Sequence, residues 1–120
     1  MRDTGHGGVN LKRLIRADQL PEFKVEVGFY RNRGTVIYKV HAYDEEEAEL
    51  KALKLARNDV SVYTIEPTDR DDEYDVTLTL AGTFGVIYNL TVWGRSQYDA
   101  EDNAVKEGID SLVAYCEPVA

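Results

Sequence analysis

The chain has 120 residues, of which 43% are hydrophobic and 30% charged, a balance that excludes global disorder and suffices for one domain burying about two-thirds of its unfolded surface. The net charge of −8 is uneven: residues 1–20 carry +2 through Arg2, Lys12, Arg13 and Arg16 against Asp3 and Asp18, leaving −10 for the rest. An acidic body repels phosphates over a Debye length of about 8–10 Å, so direct nucleic-acid binding is not expected and a basic surface on another protein is the natural partner.

No apolar run approaches the roughly 18 residues that span a bilayer, and Met1 to Asn10 lacks the apolar core of a signal peptide. The expected location is the cytoplasm, with no membrane partner. The single cysteine, Cys116, allows no internal disulfide and no cysteine-based metal framework.

In chain order, residues 1–22 are expected to form a tail and a short basic helix: Asn10 is a fitting N-cap, Leu11, Leu14 and Ile15 recur at helical spacing, and Pro21 ends the pattern. A first unit spans 23–67. Phe23, Val25, Val27 and Phe29 alternate with polar residues as a half-buried strand. Arg31-Asn32-Arg33-Gly34 is a turn, and Thr35 to Tyr43 returns as a second strand. Asp44 with Glu47 is a capping box for a helix from Glu45 to about Arg57, whose stripe is Ala48, Ala52, Leu55 and Ala56. Val60 to Ile65 is a third strand.

Residues 68–73, with Asp69, Asp71, Asp72 and Glu73, read as a solvated acidic linker. A second unit then spans 74–120 in the same order. Tyr74, Val76, Leu78 and Leu80 form a strand, Ala81 to Gly85 a turn, and Val86 to Val92 the return strand. A helix follows from about Asp99 to Leu112 after two extra residues in Gly94 to Tyr98, and Val113 to Cys116 is the last strand. Gly34-Thr35-Val36-Ile37-Tyr38 and Gly85-Val86-Ile87-Tyr88 are the most similar stretches, and Ile65-Glu66-Pro67 matches Cys116-Glu117-Pro118. The predicted fold is α+β: tandem strand-strand-helix-strand units with antiparallel sheets, two copies because one would have a marginal core.

Chemistry-bearing patterns are sparse. His6 and His41 have no neighbouring acid-base partner, and the acidic runs lack the Asp-x-Asp-x-Asp-Gly loop of a calcium site. No phosphate loop is present, so no cofactor, metal or catalytic residue is expected and the chain reads as non-enzymatic. Two features suggest protein binding. Trp93 falls on the strand face opposite Tyr88, Leu90 and Val92, and an exposed Trp beside Arg95 and Tyr98 is the kind of anchor that interfaces favour. The Arg31 and Arg33 hairpin tip projects two cations from an acidic body.

Val40-His41-Ala42-Tyr43-Asp44-Glu45-Glu46-Glu47-Ala48, with Ala52 and Ala56 behind it, resembles a pattern of strand, acidic cap and alanine-rich helix common in small phage and mobile-element proteins; Trp93 to Ala104 repeats it loosely. The resemblance implies a phage-encoded accessory protein that binds and blocks a host defence or nucleic-acid-handling protein, as anti-CRISPRs do, in the host cytoplasm. The alternatives are an assembly protein that oligomerises, for instance as a homodimer, through sheet edges or the N-terminal helix, and a small-ligand-binding domain with a pocket between the copies.

Overall fold

The computed structural model describes residues 20–32 and 34–117; the predicted N-terminal helix lies outside them. Six strands and two helices follow in the order β1 (Glu22–Phe29), β2 (Val36–His41), α1 (Glu45–Arg57), β3 (Val60–Pro67), β4 (Glu73–Leu80), β5 (Thr83–Trp93), α2 (Gln97–Asp110) and β6 (Leu112–Glu117). The fold is α+β, as the alternation and the helical stripes predict. Among the described residues no helix is long and apolar enough to cross a membrane.

The third strand of each repeat does not pair within its own repeat. One antiparallel sheet has the order β2-β1-β6 and the other β3-β4-β5. Each repeat supplies a hairpin and a helix, and sends its third strand to the hairpin of the other repeat. The units read as 23–67 and 74–120 are therefore sequence units whose sheets are shared. The supposed linker is the reason for half of this exchange: β3 continues to Pro67 and β4 begins at Glu73. The intervening turn is tight, with the Thr68 amide donating to the Glu73 carbonyl at 3.0 Å and the Arg70 amide to Thr68 Oγ1 at 3.1 Å. Strands joined this closely pair with each other.

Equivalent bonds tie the exchanged strands in place. The Tyr30 amide donates to the Ser111 carbonyl at 2.7 Å, and its counterpart Ala81 donates to Asp59 at 2.9 Å. Beneath them lies one core to which both halves contribute, with Val25, Val27 and Phe29 from β1 and Val76, Leu78 and Leu80 from β4. The Phe29 ring stacks on Tyr88 with centroids 5.1 Å apart, joining the two halves.

Small residues let each helix lie close to its sheet. Ala48, Ala52 and Ala56 in α1, and Ala100, Ala104 and Gly108 in α2, are buried at four-residue spacing, which puts each set on one helix face. A side chain at Gly108 would meet Leu78 Cδ1. Both helices begin with a capping box. Asp44 Oδ1 accepts from the Glu47 amide at 2.8 Å while Glu47 Oε1 accepts from the Tyr43 amide at 2.8 Å. Ser96 Oγ accepts from the Asp99 amide at 3.1 Å and Asp99 Oδ2 from the Arg95 amide at 2.9 Å.

That second box corrects the predicted helix start: Asp99 is the reaching acid and Ser96 the cap, so α2 begins at Gln97, and Leu112 belongs to β6. The predicted turn at Ala81 to Gly85 shrinks to Ala81-Gly82, both at positive φ (54° and 65°), and Thr83 to Gly85 already belong to β5, as a type I′ hairpin allows. The register then jumps from Leu80↔Thr83 to Thr79↔Ile87, so Phe84, Gly85 and Val86 form a bulge.

The bulge has a consequence for the repeat. Val25 pairs with Tyr38, whereas its counterpart Val76 pairs with Leu90. The two Val-Ile-Tyr stretches are thus two residues out of step, and the structural equivalents in the return strands and helices are 52 residues apart. The extra length sits in the second hairpin, not in Gly94 to Tyr98. At Gly34 a side chain would collide with the Gly85 carbonyl, so the first hairpin abuts the bulge directly.

Candidate functional site

β4 is flanked on both sides, and its outward residues define a three-by-three array on the face of the second sheet away from α2. The rows are Thr64, Thr77 and Asn89; then Glu66, Asp75 and Thr91; then Thr68, Glu73 and Trp93, with the acidic turn beyond. Strand alternation forces this grouping, because the intervening Val76, Tyr74, Leu90 and Val92 face the helix.

Threonine hydroxyls organise the array. Thr77 Oγ1 donates to Asn89 Oδ1 at 2.7 Å, Thr91 Oγ1 to Asp75 Oδ1 at 2.7 Å, and Thr68 Oγ1 to Glu73 Oε1 at 2.8 Å. Each carboxylate keeps acceptor capacity for a further donor. Residues 66–75 hold Glu66, Asp69, Asp71, Asp72, Glu73 and Asp75 against Arg70 alone.

Trp93 closes the acidic end. Its side chain is 55% exposed, and its backbone is fixed from two directions. Asn103 Nδ2 of α2 donates to the Trp93 carbonyl at 2.8 Å, and the Gly94 amide donates to the Asp72 carbonyl at 2.9 Å. Gly94 is buried so tightly that a methyl group there would overlap the backbone of Ala100. An indole on a clamped strand end loses little freedom on binding, which favours its use as an anchor.

The residues singled out from sequence are distributed as follows. Asp69, Asp71 and Asp72 are exposed on the turn, Glu73 is half-buried, and Trp93 stands directly across from Glu73. Exposed Arg95 follows two residues later. Tyr98, 82% exposed, sits in the first turn of α2 beside Val62, Glu101 and Val105, on the helix side of the sheet, so it does not join Trp93. Arg31 is elsewhere, over the Tyr30 ring at 5.4 Å; the neighbouring Asn32 Nδ2 donates to the Ile87 carbonyl at 2.6 Å. Arg33 lies outside the described residues.

Sequence reasoning missed Glu66, Asp75 and the threonine partners. The outward positions of β4, with Glu73, Asp75 and Thr77 alternating with apolar residues, carried the signal; the neighbours on β3 depend on the exchanged pairing.

A cleft of about 330 Å³ lies between the hairpins of the two copies, bounded by Asn32, Gly34, Gly85, Ile87, Tyr88 and Asn89. The Tyr88 phenol is the one ionisable side chain among these residues, and none of them carries a carboxylate, imidazole or amine. Among the described residues, no group of three or more His, Cys, Asp or Glu is placed to hold a metal.

The comparisons with known proteins leave the reading to this geometry: no protein-family model, curated protein or solved structure matches the chain.

Proposed function

We propose that the chain is a non-enzymatic protein-binding module whose docking surface is the acidic end of the second sheet's open face, and that its partner presents cationic side chains. The observation that carries this reading is Trp93, 55% exposed and paired with Glu73, at the edge of an array that together with its adjoining turn holds six carboxylates. An arginine from the partner fits both parts: its guanidinium stacks on the indole and its N–H groups bridge Glu73 or Asp75. Carboxylates gathered on one turn and two rows favour a partner whose basic surface handles nucleic acid, with the chain acting as an inhibitor of the anti-defence kind that competes for that surface. Assembly through the β3 edge is less favoured, because a register shift between Val62 and Thr64 and Pro67 at its end disrupt further pairing.

The test is anisotropy of a labelled arginine-rich peptide titrated with the protein. Binding is expected to weaken steeply with salt, and Trp93→Ala to cost about 2 kcal/mol, roughly thirtyfold in affinity. Equal affinity at low and high salt, or an unchanged affinity for both Trp93→Ala and the triple variant Asp69→Asn, Asp71→Asn, Asp72→Asn, would refute the reading.

A further inference from the structure

A cavity bordered by the first repeat lies on the opposite half from Trp93. It measures about 430 Å³ and opens between β2 and α1, bordered by Val40, His41, Lys51, Lys54, Leu55 and Asn58. Lysine stems contribute methylene surface, and Leu55 is 49% exposed beside it.

The second repeat is an internal control. The residues of α2 equivalent to Leu50, Leu55 and Asn58 are Asp102, Glu107 and Asp110, all exposed. One copy therefore carries leucines where the other carries acids. Surface leucines scattered singly need no explanation; a leucine beside a cavity, at a position the duplicate keeps charged, marks a face that is covered.

The chain itself leads to this groove. Leu20 is buried to 8%, its carbonyl accepts from His41 Nδ1–H at 2.9 Å, and the Pro21 carbonyl accepts from the Ala42 amide at 3.1 Å. His41 lines the cavity, so Leu20, the first described residue, stands at its rim. The residues before it include the amphipathic pattern Leu11, Leu14 and Ile15. Lys51 to Asn58 spans about 10 Å of α1 at roughly 1.5 Å per residue, a length that a helical stretch over 9–19 covers.

We propose that this groove is the seat of residues 9–19 of the same chain, with Leu11, Leu14 and Ile15 against Val40, Leu55 and the lysine stems. It separates the two ends of the molecule into a self-occupied apolar groove and an open acidic face. The proposal does not depend on the function assigned to that face.

Amine acylation of the full chain read by mass spectrometry tests it, because Lys54 borders the groove and its equivalent Lys106 on α2 does not. Replacing Leu11, Leu14 and Ile15 together by Glu is expected to raise Lys54 labelling several-fold and leave Lys106 unchanged. Labelling of Lys54 that is the same in both chains overturns the proposal. As a second readout, Leu14→Cys with Leu55→Cys, in a Cys116→Ala background, is expected to form a disulfide within one molecule. Bridges forming between molecules would instead assign the groove to a second copy, and no bridge, with Lys54 reactive from the start, would leave it to an outside partner or an apolar ligand; either result overturns the proposal.

Discussion

The two halves share a scaffold and differ in what they show to solvent. In the first, the open sheet face pairs Glu22 with His41, Lys24 with Lys39, and Glu26 with Ile37 and Tyr115. In the second, the matching positions are Glu73 with Trp93, Asp75 with Thr91, and Thr77 with Asn89. Lys24 has become Asp75 and Lys39 has become Thr91. The face therefore passes from mixed charge to acidic without disturbing a strand.

What stays constant is whatever fixes backbone. The carbonyl of His41 accepts from Lys51 Nζ at 2.6 Å, and that of its equivalent Trp93 from Asn103 Nδ2 at 2.8 Å. Two unlike side chains at equivalent helix positions do one job: the last carbonyl of the return strand must find a donor once it leaves the ladder. Outward positions carry no such obligation and are free to diverge.

Removing β6 tests the comparison most severely. A chain ending at Ser111 is expected to lose its cooperative unfolding transition, because β6 completes the first sheet and packs on α1. Amide exchange should show loss of protection in β1, over Val25 to Phe29. Damage confined to residues 73–110 would mean that the repeats are independent and the exchange is wrong.

Next in size is a pair of reciprocal substitutions. Ala42 and Gly94 are equivalent and both buried, but a methyl group at 94 overlaps the backbone of Ala100. Gly94→Ala is expected to cost about 3 kcal/mol in denaturant unfolding, and Ala42→Gly only about 1 kcal/mol. Similar costs would show that the second helix sits no closer to its strand than the first.

Smaller effects separate the two tyrosines that reach the helix ends. Tyr38 Oη donates to Asp59 Oδ2 at 2.6 Å, while Ser111 Oγ donates to Tyr88 Oη at 3.2 Å. Tyr38→Phe should cost about 1.5 kcal/mol and Tyr88→Phe less than about 1 kcal/mol, since a bond to a charged acceptor is the stronger. Burial, and then the hydrogen bond to Asp59 and its negative charge, push the Tyr38 hydroxyl well above the ordinary tyrosine range. The folded state thus holds a proton that the unfolded chain releases near pH 10, so this stabilisation is complete below about pH 10 and fades as pH rises above it. Alkaline unfolding of the wild type and Tyr38→Phe should converge in that range; parallel curves would remove Tyr38 from the account.

The caps give the smallest difference. Asp44→Ala and Ser96→Ala should each cost about 1 kcal/mol, because each box satisfies the same two amides. A much larger loss at Asp44 would show that its charge contributes beyond the cap.

The acidic end was only partly legible in sequence. Trp93, Asp69, Asp71 and Asp72 stand out by composition, and the structure brings them to one end of one sheet. Tyr98 and Arg31 stood out equally, yet lie elsewhere, because nearness along the chain does not say which face a residue occupies once a strand gives way to a helix. Glu66 and Asp75 were hidden because they are 9 residues apart in the chain and become neighbours only through β3↔β4 pairing.

The sequence by itself determined the order of the described elements, the limits of α1, and the buried face of each except at Leu55, expected in the α1 stripe but 49% exposed, because alternation, four-residue stripes and capping residues act over a few positions. Tertiary structure decided which strands are partners. Both third strands carry the same kind of alternating surface, so side-chain pattern does not distinguish β3 from β6 as the neighbour of β1. The tight Thr68 to Glu73 turn commits β3 to β4, and the place beside β1 is left for the strand that follows α2.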